Sequence, residues 1–295
     1  NVEEREMQNV TENSLDLLNQ GCALMAQQQY EQALEKFSLA QKDSPKSIDC
    51  YINLGNVYSC LEKYDDALEN FKKALILDEK SSTVLFDIGN IMYLKGDKVE
   101  AVKYYNKADE CGNLTADMYD VISGLFIDEQ DYVQALRYIN RAIKLDPMNG
   151  EYYLEKAKIF IDQQKATEAL ETLHELNKLL PDAYEAYDML SEIYMIKKDY
   201  DNAIGIVEKG LTRFPEDVNL AYLKLKVLTN FEKDQDALDY ISSMKESGAY
   251  YKREIDFALL EADVYLRGKN VEKAIECLEC AAKGDYSNQQ LGFVL

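Results

Sequence analysis

The chain has no tryptophan, one histidine, four prolines and 13 glycines in 295 residues. So few helix breakers leave little room for loops, which predicts an all-α protein. With His174 alone, no nucleophile–histidine–acid set can be assembled; it falls one place past a bulky helix residue, an outer or inter-repeat surface. Basic residues are scarce as well: 33 Lys and Arg stand against 54 Asp and Glu, a formal charge of -21. A field of that sign repels phosphate, so neither nucleic acid nor an anionic membrane surface is an expected partner. No run of 18 apolar residues exists, which removes a transmembrane helix. Nor is there a basic-then-apolar leader, so the expected compartment is the cytoplasm, although a chain starting at Asn1 leaves an upstream signal or anchor open.

Chemistry-bearing motifs are equally sparse. Glycines are isolated and never precede Gly-Lys-Ser/Thr, so no phosphate loop, no dinucleotide fingerprint and no cofactor are expected. Six cysteines, at 22, 50, 60, 111, 277 and 280, have no disulfide-like spacing and read as reduced, small hydrophobic residues. Cys277 and Cys280 form a C-x-x-C inside a helix that starts near Asn270. There they lack the helix N-terminus that activates a redox thiol, and the second pair that would complete a metal site. Asn9 and Asn113 open N-x-T sequons, read as coincidence without a secretion signal. Carboxylates abound without a spacing specific to catalysis, and the chain is expected not to be an enzyme.

What the chain does contain is a period. Alanines stand at 33, 67, 101, 135, 169, 203 and 237, always 34 residues apart, and Ala274 follows after 37. Four residues beyond them come Phe37, Phe71, Tyr105, Ile139, Leu173, Val207, Ile241 and Leu278. Twelve before them come Gly21, Gly55, Gly89, Ser123, Ala157, Ser191, Leu225 and Ala262. All four prolines, Pro45, Pro147, Pro181 and Pro215, lie 12 residues after their repeat's alanine. Within a repeat the apolar residues keep helix-face spacing, as Tyr51, Leu54, Gly55 and Tyr58 show. The small residue lets a second helix approach closely, and that helix answers with its alanine and its bulky residue. Mid-helix glycine costs about 1 kcal/mol relative to alanine, so Gly21, Gly55 and Gly89 mark places where no side chain fits. Tyr30, Tyr64, Tyr132 and Tyr200 open second helices, and the residues before each proline, Ser44, Asp146, Leu180 and Phe214, fall in turns. Helices this short are marginal alone and must stack.

In its 34-residue period and its small–bulky–Ala–aromatic–Pro layout the chain resembles the tetratricopeptide repeat family over about residues 14–284. The resemblance implies a right-handed α–α superhelix of about eight antiparallel helix pairs. The repeats are 14–47, 48–81, 82–115, 116–149, 150–183, 184–217, 218–254 and 255–284, between an extension (1–13) and a tail or cap (285–295). Repeat 5 departs at Leu176. Repeat 7 is degenerate at Leu225 and Met244, and three extra residues around Ser247 to Lys252 precede repeat 8, where helix packing is expected to change angle.

In that family the first helices line a concave face on which partner peptides lie. Carried over residue by residue, the resemblance makes Asn56, Phe86, Asn90, Tyr93, Asp120, Lys158, Asp188, Glu192, Tyr222 and Lys226 candidate groove residues. Asn56 and Asn90, one repeat apart, can form an amide ladder on an extended peptide; on a plain helix surface they would only be solvated. Phe86, Tyr93 and Tyr222 would be apolar anchors. The carboxylates Asp117, Asp120, Asp128, Glu151, Asp162, Glu185, Asp188 and Glu192 would either steer a basic partner or simply keep the chain soluble, with Lys158 and Lys226 as internal counterions. The Lys–Asn–Asn–Lys–Arg set by which several members hold acidic chaperone tails is missing: around Asn56 its other places carry Ile52, Asp87, Asp117 and Val121. The expected function is a cofactor-free protein-binding adaptor or scaffold for a protein or peptide, a basic one if the carboxylates steer. Alternatives are a self-assembling module, a homodimer through Leu18 and Met25 or the apolar tail, and the docking part of a larger polypeptide. Acidic, tyrosine-rich repeats without the chaperone set point to a bacterial source.

Overall fold

Side-chain caps open some of the helices, and a repeated backbone turn ends the first helix of each repeat. In the computed structural model, which describes residues 11–284, sixteen α-helices alternate with short turns. They are α1 (Glu12–Ala26), α2 (Tyr30–Asp43), α3 (Ile48–Cys60), α4 (Tyr64–Leu77), α5 (Ser82–Leu94), α6 (Lys98–Cys111), α7 (Ala116–Asp128) and α8 (Tyr132–Leu145). They continue as α9 (Gly150–Asp162), α10 (Ala166–Leu179), α11 (Tyr184–Ile196), α12 (Tyr200–Arg213), α13 (Val218–Asn230), α14 (Asp234–Ser247), α15 (Glu254–Arg267) and α16 (Val271–Gly284). A 3-10 turn, Ala249–Arg253, stands before α15. No strand occurs among the described residues. Asn9 and the apolar tail lie outside them.

Thr11, Asp97, Asp131, Asn149, Asp199 and Asp217 accept hydrogen bonds from free backbone N–H groups at the starts of their helices. Between the two helices of each repeat one residue turns left-handed: Gln28, Glu62, Gly96, Gln130, Gln164, Lys198, Glu232 and Lys269, with φ between 55° and 82°. The next N–H then reaches back five residues, as Lys63 to Tyr58 (2.9 Å) and Asp199 to Tyr194 (2.9 Å), and closes the first helix. Only Gly96 adopts that conformation without steric penalty. Between repeats, Ser44, Asp146, Leu180 and Phe214 cap their helices in non-helical geometry ahead of proline.

The chain divides into two compact bodies, one ending at Ile122 and one beginning at Ser123, so that α7 runs through the division. In the N-terminal body a methyl group built on Gly21, Gly55 or Gly89 would lie 2.3, 2.4 or 2.5 Å from a ring carbon of Phe37, Phe71 or Tyr105. Those rings are essentially inaccessible, so any side chain there displaces a packed ring. In the C-terminal body, Ala157, Leu173, Leu190, Val207 and Leu223 join one core cluster, while Leu225, Ile241, Met244 and Tyr250 join another. Leu18 corrects the expectation of an exposed first repeat. It is 5% exposed and packs with Ala33 and Phe37, because α1 needs it to cover its own partner helix.

Candidate partner-binding faces

With one face of each first helix consumed by its repeat, the remaining side chains define what a partner could touch. In the N-terminal body, Asn56 on α3 is half-buried and has no hydrogen-bond partner among the described residues. Asn90 on α5 is different: its Oδ1 accepts from the Tyr105 hydroxyl at 2.8 Å, and its amide N–H groups are left for another molecule. Phe86 is a correction. It is 7% exposed and its ring tilts against Tyr105 with centroids 5.8 Å apart. The cause is α5 itself, where Val84, Leu85, Ile88 and Ile91 are also buried and the apolar stripe is too wide to leave Phe86 in water. Tyr93 is half-buried with the Lys98 ammonium 5.9 Å from its ring centre. Asp120 is half-buried on α7.

Asp87, one turn before Asn90, is a group that sequence reasoning noted only as a mismatch to a basic-site pattern. Desolvation lifts its carboxyl from the ordinary aspartate range to about 7. The Tyr105 hydroxyl is pushed up too, first by burial and then by the nearby Tyr93 and Asp87. A carboxyl so placed gains by meeting a cation and titrates near neutrality.

The C-terminal body carries a connected charged face. Lys226 Nζ on α13 lies 2.8 Å from Glu192 Oε1 and 3.5 Å from Asp188 Oδ1, both on α11. Burial depresses the Lys226 pKa, but the two carboxylates outweigh it and the net shift is upward. Tyr222, one turn before Lys226, packs at 6.0 Å from the Phe257 ring, and the Arg253 guanidinium lies 4.3 Å from its centre. Arg253 also donates to Asn219 Oδ1 (3.1 Å) and pairs with Asp256 (2.8 Å). Next to them the Tyr184 hydroxyl is pushed up to about 12, by burial and then by the Asp188 charge. Arg253 was not foreseen. The three-residue insertion was the available signal: folded as the 3-10 turn, it ends on Arg253 and delivers its side chain to α13. Lys158 stands apart, exposed on α9 without an ion pair among the described residues.

The groups set aside as structural behave accordingly. His174 pairs with the Tyr194 hydroxyl of the next repeat at 2.9 Å, and desolvation followed by the Lys209 charge lowers its pKa. Desolvation, then Glu261, pushes the Cys277 thiol up to about 11, so the reactive thiolate is suppressed. Among the described residues no His, Cys, Asp and Glu group could hold a metal ion, and no helix is long and apolar enough to cross a membrane.

Paired helices on a 34-residue period with a small–bulky contact define a helical repeat protein. Family models, each described as tetratricopeptide repeat, match residues 9–80, 52–114, 126–193 and 184–217, and together they cover well over half of the sequence. The chain belongs to the tetratricopeptide repeat family. Among solved structures it is similar to the C-terminal part of a repeat-containing protein from Cytophaga hutchinsonii, at 17% identity and a TM-score of 0.58, over 94% of this chain and 99% of that one. It is also similar to pilF of Pseudomonas aeruginosa, at 17% identity and a TM-score of 0.53, over 71% of this chain and 95% of that one. At those identities the likeness is one of fold. No curated protein sequence matches this one.

Proposed function

We propose that the chain is a non-catalytic adaptor or scaffold that holds a segment of another protein against the free faces of its first helices. The observation that carries this reading is the contrast within each first helix. One side is spent on its own repeat, while Asn56, Asp87, the amide of Asn90, Tyr222 and the Lys226–Asp188–Glu192 group stay within reach of solvent. Such a face mixes partly buried aromatic surface with hydrogen-bonding and charged groups, the composition that gives interfaces their anchors and orientation. A net charge of -21 and the carboxyl of Asp87, which has no cation partner among the described residues, favour a basic segment, attracted over long range and matched locally. Six free thiols support a reducing compartment, the cytoplasm.

Affinity capture with the tagged chain, followed by mass spectrometry, identifies the partner. Asn56→Ala and Lys226→Ala are then each expected to weaken capture several-fold while leaving thermal unfolding nearly unchanged. Undiminished capture by both would remove these faces as the binding determinant. Capture should also weaken as salt is raised from 50 to 300 mM, the signature of a basic partner.

A further inference from the structure

Three of the four prolines are followed six residues later by a tyrosine: Pro45 by Tyr51, Pro147 by Tyr153 and Pro181 by Tyr187. In each pair the tyrosine hydroxyl donates to the proline carbonyl, at 2.9, 3.2 and 2.9 Å. The ring rests on the late part of its repeat's second helix: a methyl group on Gly210 of α12 would lie 3.0 Å from the Tyr187 ring. Repeat 7 breaks this device. Six residues after Pro215 stands Ala221, and opposite it Met244 occupies the place that Gly210 holds one repeat earlier. Met244 is buried and takes up part of the vacated space. What remains is a cleft of about 440 Å³ lined by Pro215, Val218, Ala221, Tyr240, Met244 and Ala249. Among the described residues no donor reaches the Pro215 carbonyl.

We propose that this cleft is a receptor for a tyrosine side chain of a partner polypeptide. The occupant is argued from the molecule itself. Three times a proline turn of this kind holds a phenol whose hydroxyl caps the proline carbonyl; here the proline turn recurs, Met244 stands on the second helix, and the phenol is missing. The volume falls within the range of small-ligand sites, roughly 300–1,000 Å³. An entering tyrosine buries its ring against Tyr240 and Met244 and donates to Pro215, satisfying an acceptor that phenylalanine would leave bare. Charged Glu216 and Lys252 also line the cleft, where residues flanking the tyrosine would meet them. The site is separate from the faces described above, since Ala221 and Tyr222 are adjacent on α13 and point to different sides of it.

The test uses the whole chain labelled with ¹³C-methyl methionine and titrated with N-acetyl-tyrosinamide or N-acetyl-phenylalaninamide. The Met244 methyl signal is expected to shift saturably, with the tyrosine amide binding ~5- to 10-fold tighter than the phenylalanine amide, the weight of one hydrogen bond. Ala221→Tyr should fill the cleft and abolish the response with the helical circular dichroism retained. If that variant fails to fold, Ala221→Val should weaken the response. No saturable shift at Met244, equal affinity for the two amides, or an undiminished response in the folded Ala221→Tyr protein would overturn the proposal. So would a Met244 signal that moves with protein concentration alone, which would make a second copy the occupant. Lys226→Ala leaves the Met244 response intact if the cleft is a separate site, so failure here and failure of the groove reading are told apart.

Discussion

In the first three repeats a glycine lies against an aromatic ring, Gly21 with Phe37, Gly55 with Phe71 and Gly89 with Tyr105, whereas the next four carry Ser123, Ala157, Ser191 and Leu225 where the bulky residues are Ile139, Leu173, Val207 and Ile241. The two places therefore trade volume with each other: a ring four residues after the alanine requires a bare backbone twelve before it. An aliphatic residue leaves room for a methyl, a hydroxyl or a whole leucine. The difference teaches that the repeat conserves the filled space between its helices rather than any one residue. Repeat 7 shows a similar trade against repeat 6, with Ala221 and Met244 replacing Tyr187 and Gly210.

The largest expected effect follows from crossing the two solutions. Gly55→Leu should prevent the N-terminal body from folding, a loss above ~4 kcal/mol visible as missing helical signal, whereas Ala157→Gly in the C-terminal body should cost only about 1 kcal/mol. Next is a contrast in buried charge. In the C-terminal body Glu261 is 3% exposed and held by Lys245 (2.7 Å) and by the Tyr250 hydroxyl (2.7 Å). Lys245→Met should lower stability by about 3 kcal/mol in urea unfolding, since it strands a buried carboxylate.

Asp87 in the N-terminal body has no such cation among the described residues, and burial raises its pKa. Its folded pKa of about 7 exceeds the unfolded value near 3.9, so between those limits the folded chain binds more protons. Stability from this group is therefore greatest below pH 4 and falls as pH rises to 7, by on the order of 3 kcal/mol. Asp87→Asn should flatten that fall in pH-dependent urea midpoints; an unchanged slope would place the carboxyl in water. The smallest effects lie in the left-handed turns. Lys198→Gly should raise stability by ~0.5–1 kcal/mol and Gly96→Ala should lower it by about as much, because a methyl on Gly96 meets nothing within 4 Å and only φ matters.

Helix pairing was legible because it rests on side-chain volumes repeated at a fixed spacing. The left-handed turns were not. Their residues are Gln, Glu, Lys and one Gly, and nothing in those side chains announces a positive φ imposed by the hydrogen bond behind it. The tyrosine-to-proline bonds were present in the sequence as a recurring six-residue step, visible only once both partners are read together. On the candidate faces the phase of the repeat found Lys226 with its carboxylates. It missed Phe86, because periodicity places a residue on a face without saying how wide the buried stripe is. It missed Arg253 too, because an insertion resets the register that phase arguments use.

Everything assigned to the exposed faces presupposes that ring and bare backbone fix how the two helices of a repeat are rotated against each other. A double-mutant cycle on Gly55→Ala and Phe71→Leu, measured by urea unfolding, tests this most directly. A coupling of at least ~1.5 kcal/mol is predicted, with Phe71→Leu relieving much of the damage done by the new methyl group. Additive losses would contradict the account, since they would mean that the ring and the glycine do not share one contact.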